Sequence, residues 1–268
     1  MSKWRPRNIH GQGPNTSRKE RHFKEAIRES LRISRGGGAW RYPYWHIDLN
    51  AGCGRNADCD GSPLVFAAAA AAARRRYEAL FIDNRPEAVE ALTRRLAAAA
   101  MPEGSNCTVA WGDNAAFLPR VAAVIRAREV PRFAVGSCLA DPCGWLDMPV
   151  DSLREFAAEF LRIDLIINLN VTHLKMALER RRAGIAGFQK YPQSIDCFLR
   201  SLRPWWAVST ISRGGAGRMQ FITAIGRTTR TAERRFGDFY PLESAEGVGL
   251  VRDFKRPRTG LFAFMEGT

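Results

Sequence analysis

From Tyr42 onward the chain alternates short apolar runs with longer amphipathic ones. "YWHIDLN" reads as a strand closed by a glycine turn. Ser62 and Pro63 then form a cap and first helical residue of a helix running to about Arg76. "YEALFID" is a second strand, followed by a helix from about Pro86 to Ala100. "CTVAWGD" and "NAAFLPRVAAVIRAR" repeat the pair. So do "RFAVGSCLAD" and "SLREFAAEFLR", where Ser152 and Glu155 fit a capping box. "DLIINLN" is a fifth strand, followed by the basic helix "THLKMALERRRAG". Strands that alternate with helices in this way predict a parallel, doubly wound α/β sheet.

The rhythm changes at "WWAVSTISR", "GGAG" and "RMQFITAIGRT", which read as an antiparallel hairpin. The expected fold is therefore a Rossmann-like, mostly parallel seven-stranded sheet ending in that hairpin. In front of it, "SRKERHFKEAIRESLRIS" spaces Phe23, Ile27 and Leu31 at helical intervals, with Ser17 as its cap and Gly36, Gly37 and Gly38 as its stop. The organisation this implies is a basic arm and helix over 1–38, a core domain over 39–231 and a peripheral tail over 232–268.

Charge narrows the class of partner. The net charge is +14, and it is unevenly spread. Residues 1–35 carry ten Lys/Arg against three Glu, and residues 175–235 carry thirteen basic groups against three acidic ones. Two concentrated basic segments favour an anionic partner, nucleic acid first. No apolar run reaches the ~18 residues of a membrane span, and the basic N-terminus lacks the apolar core of a signal peptide. The expectation is a cytoplasmic protein with no membrane partner. Six cysteines without a CxxC pair suggest reduced thiols. Cys53, Cys59 and Cys143 could share one sheet edge, but no histidine completes a zinc set, so no metal is assigned.

The strand ends carry the candidate chemistry. Asp48 ends the first strand just before Gly52 and Gly54, where backbone must turn sharply and approach a ligand. Asp83 ends the second, placed to accept hydrogen bonds from ribose hydroxyls. Asp113 follows the third, placed to approach an exocyclic adenine amine. Asn50, Asn84 and Asn114, each beside one of these acids, belong to the same cofactor side. A nicotinamide dinucleotide would call for G-x-G-x-x-G opening the helix directly; "GCGRNADCDGSP" lacks the third glycine. With the terminal hairpin, S-adenosylmethionine is the favoured ligand.

"YWHIDLNAGCG", "GSPL", "LFIDNRPEAVEAL", "WGDN" and "LADPCG" resemble motifs of class I S-adenosylmethionine-dependent methyltransferases. The Gly-Ser-Pro after the long loop and the DPxG turn resemble more closely the three-Cys-motif partner family and related phage or mobile-element proteins. The resemblance spans roughly Tyr42 to Asn170. It implies cofactor contacts at Asp48, Gly52, Gly54, Asp83 and Asp113, and a substrate-side role for Asp141.

Asp141 follows the fourth strand, beside the place expected for the sulfonium methyl. Amino-methyltransferases of nucleic acids carry [D/N/S]PP[Y/F/W] there: the acid and a prolyl carbonyl orient an exocyclic NH2, and the aromatic stacks on a flipped or single-stranded base. This chain has Asp141-Pro142-Cys143-Gly144, with the aromatic one place later at Trp145. Asp141, Pro142 and Trp145 are the catalytic candidates for transfer to an amine such as adenine N6. Cys143 offers a second chemistry, cytosine C5 methylation through a thiolate, but lacks a helper at the fifth strand, where His173 is the nearest titratable group. Cys143, Asn168, His173, Arg180, Arg181 and Arg182 complete the substrate side, the arginines as phosphate contacts. Two other classes compete with this one: a catalytically inactive methyltransferase-fold subunit that binds nucleic acid, and methylation of a protein or small molecule. The imperfect motif also leaves room for a partner subunit.

Overall fold

The computed structural model of the protein describes residues 16–34, 41–55, 60–142, 148–186, 188, 194–213 and 218–252. Its elements are α1 (Thr16–Ile33), β1 (Tyr44–Asp48), α2 (Ser62–Ala72), β2 (Tyr77–Asp83), α3 (Pro86–Ala97), β3 (Asn106–Trp111), α4 (Asn114–Arg128), β4 (Val135–Ala140), α5 (Val150–Glu159), β5 (Arg162–Asn170), α6 (Val171–Arg182), α7 (Ile195–Leu202), β6 (Trp205–Arg213), β7 (Arg218–Arg227), β8 (Tyr240–Pro241) and α8 (Ala245–Arg252).

They build one sheet in the order β3-β2-β1-β4-β5-β7-β6-β8. β1 to β5 run parallel, and β7 enters antiparallel between β5 and β6. The central strands β1 and β4 are buried along their whole length, as parallel strands covered on both faces must be. The eighth strand was not expected: Tyr240–Pro241 pairs with Ala207–Val208 of β6 at the sheet edge. Its two residues carry no period a sequence reading can detect. The eight-residue helix α7 was likewise unread, although its face of Ile195, Phe198, Leu199 and Leu202 is buried.

Two cores flank the sheet. Phe23, Ile27 and Leu31 of α1 join Phe66 and the small residues Ala67, Ala69 and Ala70 of α2, with Leu92 and Leu96 of α3, on one face. The other face collects Leu118 and Val121 of α4, Leu153 and Phe156 of α5, and Phe198 and Leu199 of α7. Each large apolar side chain so buried contributes roughly 1.5–3 kcal/mol. Buried Arg203 donates from Nη2 to the carbonyls of Phe160 (2.8 Å) and Ile163 (3.0 Å), and from Nη1 to Ala157. One cation thereby ties carbonyls at the end of α5 to the start of β5.

Four local expectations are corrected. Ser62 does not cap α2: Gly61 does, and the Ser62 hydroxyl donates instead to Asp48 Oδ2 at 2.6 Å. A carboxylate is the stronger acceptor, and Pro63 leaves the cap with fewer N–H groups to satisfy. α2 ends at Ala72 rather than near Arg76, with Arg74 in the left-handed region at φ 49°. Ser152 lies inside α5 behind Pro149, its hydroxyl donating to the Ala115 carbonyl (3.3 Å), so the capping box does not form. Ser17, expected to precede the first helix, is already within α1.

Among the described residues no helix is long and apolar enough to cross a membrane.

Candidate active site at the strand ends

β1 is flanked by β2 on one side and β4 on the other, so the connections diverge there and open a crevice at the carboxyl ends of the strands. The loop leaving β1 crosses both neighbours: Leu49 N donates to Leu139 O and Ala51 N to Ile82 O, both at 2.9 Å. Gly52 and Gly54 in that loop have φ of 63° and 79°, a region side chains other than glycine enter only with strain. A Cβ on Gly54 would also stand 2.7 Å from Leu92 Cδ1. Gly54→Ala is therefore expected to cost about 2–4 kcal/mol from the backbone and overpacking penalties together, read as a lower urea midpoint with unchanged slope.

The acids sit in four different states. Asp48 is fully buried, accepting from Ser62 Oγ and from Asn50 N (3.1 Å). Burial pushes its carboxyl up to about 7, with the charges of Asp141 and Asp83 adding to the effect and hydrogen bonds from Ser62 and Asn50 opposing it. Asp83 is also buried and accepts from Gly52 N (2.8 Å), Arg85 N (3.0 Å), Arg85 Nε (3.0 Å) and Arg85 Nη2 (3.3 Å). Its oxygens thus face the glycine turn, and the Arg85 guanidinium stands where ribose hydroxyls were expected. Asp113 is exposed and caps α4, with Oδ1 accepting from Ala115 N (2.7 Å) and Ala116 N (3.3 Å). A helix cap is a sufficient reason for an acid at that position.

Asp141 carries the densest network. Its Oδ1 accepts from Asn168 Nδ2 at 2.6 Å and from Lys19 Nζ at 3.0 Å; Oδ2 accepts from Lys19 Nζ at 3.2 Å. Its backbone N donates to Asn50 Oδ1 (3.2 Å), tying the loop after β4 to the loop after β1. Asn168 in turn accepts from Thr223 Oγ1 on β7 (3.1 Å). Three sequence-derived candidates, Asn50, Asp141 and Asn168, therefore meet in one cluster with two residues that sequence reasoning missed, Lys19 and Thr223.

Lys19 could have been found. It precedes His22 by three positions and Phe23 by four, which places it on the buried stripe of α1. Trp111 was missed too: it is 64% exposed at the end of β3 and donates from Nε1 to the Asn84 carbonyl at 3.2 Å. A broad aromatic face therefore borders the loop after β2.

The remaining candidates divide by place. Pro142 is buried immediately after Asp141. Asn114 begins α4, and Asn170 ends β5 beside the crevice. Arg180, Arg181 and Arg182 form the last turn of α6, about 15 Å along the helix from the strand end that precedes it. His173 lies in the first turn of α6, its side chain outside the described residues. Cys59, Cys143 and Trp145 fall outside them as well. Cys53 is buried, its thiol donating to Arg55 O at 3.0 Å.

A parallel sheet ordered 3-2-1-4-5 with an antiparallel seventh strand inserted beside the fifth is the fold of class I methyltransferases. This chain is a protein of that fold. No family model matches it, and no curated protein does. Among solved structures it resembles a Legionella pneumophila protein carrying the DUF519 family model, at TM-score 0.50 and 10% identity over 87% of this chain and 90% of that one. It is also similar, at TM-score 0.46 and 10% identity, to a DUF574 family protein from Streptomyces avermitilis, over 79% of this chain and 83% of that one. A Bacillus cereus O-methyltransferase in complex with SAH matches at TM-score 0.45 and 13% identity, over 82% and 84% of the two chains.

Proposed function

We propose that the protein transfers a methyl group from S-adenosylmethionine to a nucleic acid, at an exocyclic amine such as adenine N6. The observation that carries this reading is Asp141: a carboxylate at the mouth of the crevice, one strand from β1, on a residue whose backbone N–H donates to Asn50 in the loop that carries the glycine turn.

The cofactor side suits a cationic nucleoside. The charges of Asp83 and Asp141 both act on Asp48, and an acidic cluster of this kind favours a sulfonium. Gly52 and Gly54 leave two positions of the loop without a Cβ atom, Asp83 offers acceptors once Arg85 turns outward, and Trp111 offers a planar face to an adenine ring. S-adenosylmethionine, when bound, supplies the electrophilic methyl. Asp141 Oδ2 accepts an N–H of the acceptor and so aims the nitrogen lone pair at the methyl carbon. Asp141 would then take the surplus proton from the methylated nitrogen and release it to water. Alignment supplies most of the rate, so no further acid–base group is needed. The net charge of +14 supplies attraction for the backbone.

One observation favours a second reading. Asp141 and Asp83 are both satisfied within the protein itself, by Lys19 and Asn168 and by Arg85. That suits a methyltransferase fold retained as a nucleic-acid-binding subunit without turnover.

Cofactor binding separates the two readings. At a hundredfold excess over Kd, S-adenosylmethionine should stabilise the protein by about 2.7 kcal/mol, a rise in Tm on the order of 5–10 °C for a chain of this size. No rise with S-adenosylmethionine or S-adenosylhomocysteine would remove the enzyme reading and leave the binding subunit.

A further inference from the structure

The helix α1 runs against the sheet from its carboxyl edge, where Lys19 reaches Asp141, to its amino edge, where Ser30 Oγ donates to Gly136 O (3.5 Å) and accepts from the Tyr44 hydroxyl (2.7 Å). Between these pins, His22 Nε2 meets Ser209 Oγ at 3.3 Å, and Phe23 and Ile27 are buried. α1 is therefore part of the wall of the crevice, and its first turns stand at the mouth.

Lys19 spans both oxygens of Asp141, and its ammonium also lies over the Phe221 ring, 4.2 Å from the centroid. The side chains of Lys19 and Asp141 are 22% and 20% exposed, so solvent only partly screens the pair. A carboxylate–ammonium hydrogen bond is roughly twice as strong as a neutral one. The NH2 of a base is neutral, and it alone cannot take Asp141 from Lys19. A phosphate can, because it offers the ammonium an anion of its own. The first turn of α1 contains no acid to repel that phosphate, and phosphate is favoured at a helix N-terminus.

We propose that Lys19 is a specificity-determining residue that admits only phosphate-bearing acceptors: it holds Asp141 until the phosphate beside an incoming base draws its ammonium away and frees the carboxylate for the amine. The inference rests on the reading of Asp141 as the amine-orienting acid. In this arrangement a polymer is distinguished from a free nucleoside at the reacting group itself, and not only by its affinity for the basic surface.

The test uses the full chain, S-adenosylmethionine labelled in its methyl group, single-stranded RNA and DNA pools as polymer acceptors, and adenosine as the phosphate-free acceptor. Wild type should label a polymer pool and leave adenosine nearly unmodified. Lys19→Met should raise kcat on adenosine about tenfold, the difference between a charge-assisted and a neutral competitor for one carboxylate, and narrow the polymer-to-nucleoside ratio. Lys19→Arg should keep the wild-type ratio. A gain on adenosine is not an outcome that a merely structural lysine would give. Labelling of a polymer by wild type with an unchanged ratio in Lys19→Met would overturn the inference alone. An equal fall on both acceptors, with the cofactor-induced rise in Tm retained, would overturn it too and make Lys19 a participant in transfer. Absence of label from wild type in both polymer pools would overturn the proposed function, and this inference with it.

Discussion

Asp141→Asn is expected to lower methyl transfer about a hundredfold or more while leaving the cofactor-induced rise in Tm intact. The asparagine retains an oxygen for Asn168 Nδ2 and keeps the volume of the side chain, so the loop after β4 stays in place. What disappears is the anionic acceptor that aims the amine, and misplacement by about 1 Å costs on the order of 10²-fold. Asp141→Ala is the harsher change, because it leaves Lys19 and Asn168 without their shared partner. The substitution should act on kcat at saturating S-adenosylmethionine. A variant that transfers methyl groups at the wild-type rate would remove Asp141 from the site.

Asp48→Asn should change stability more than activity, and in a pH-dependent way. Burial lifts the Asp48 carboxyl from its ordinary 3.8 to about 7. Between about pH 4 and pH 7 the folded protein therefore keeps a proton that the unfolded chain has lost. Stability from this group is present at low pH, falls as pH rises through that window, and is constant above it. The slope approaches 1.4 kcal/mol per pH unit. Two buried histidines act in the opposite sense: burial lowers His22 to about 4 and His46 to about 3. The unfolded chain binds protons that they refuse, so their contribution is lost as pH falls below 6.5.

Near pH 7 the histidine contributions are already complete and Asp48 dominates. Asp48→Asn removes the charge and keeps an oxygen for Asn50 N, while the Ser62 hydroxyl turns to accept from the new amide. The variant should therefore be more stable than wild type at pH 8, by on the order of 2–4 kcal/mol, and nearly equal to it at pH 4. Urea denaturation at both pH values reads the difference. An equal loss of stability at both would show that the carboxylate is not the strained group.

The sheet was legible because buried parallel strands are nearly continuous apolar runs, and each here ends at or just before an acid or asparagine. The terminal hairpin was legible from two β-rich runs around "GGAG". Where the reading stopped, elements were too short to have a period, as with β8, or a residue had two plausible partners. Ser62 stands at the start of a helix and suits a cap; only the fold brings Asp48 within reach of its hydroxyl. Asp83 and Asp113 look alike in sequence, each an acid at a strand end. The fold makes one a receiver of the glycine turn and Arg85, and the other a helix cap.

Lys19 shows a different limit. Its helical position put it on the buried stripe, yet a basic helix read as a docking element with a charged outer face gives no reason to look for a lysine facing inward. The pairing with Asp141 joins residues 122 positions apart, and nothing in local sequence encodes it.

The measurement that bears most directly on the central claim is transfer of a labelled methyl group from S-adenosylmethionine to nucleic acid by the full-length protein, followed by digestion to nucleosides. Label is expected in RNA or DNA, on the base at an exocyclic nitrogen, with its loss in Asp141→Asn. Label on cytosine C5 that disappears with Cys143→Ala, or no label in any nucleic acid while the cofactor still binds, would contradict it.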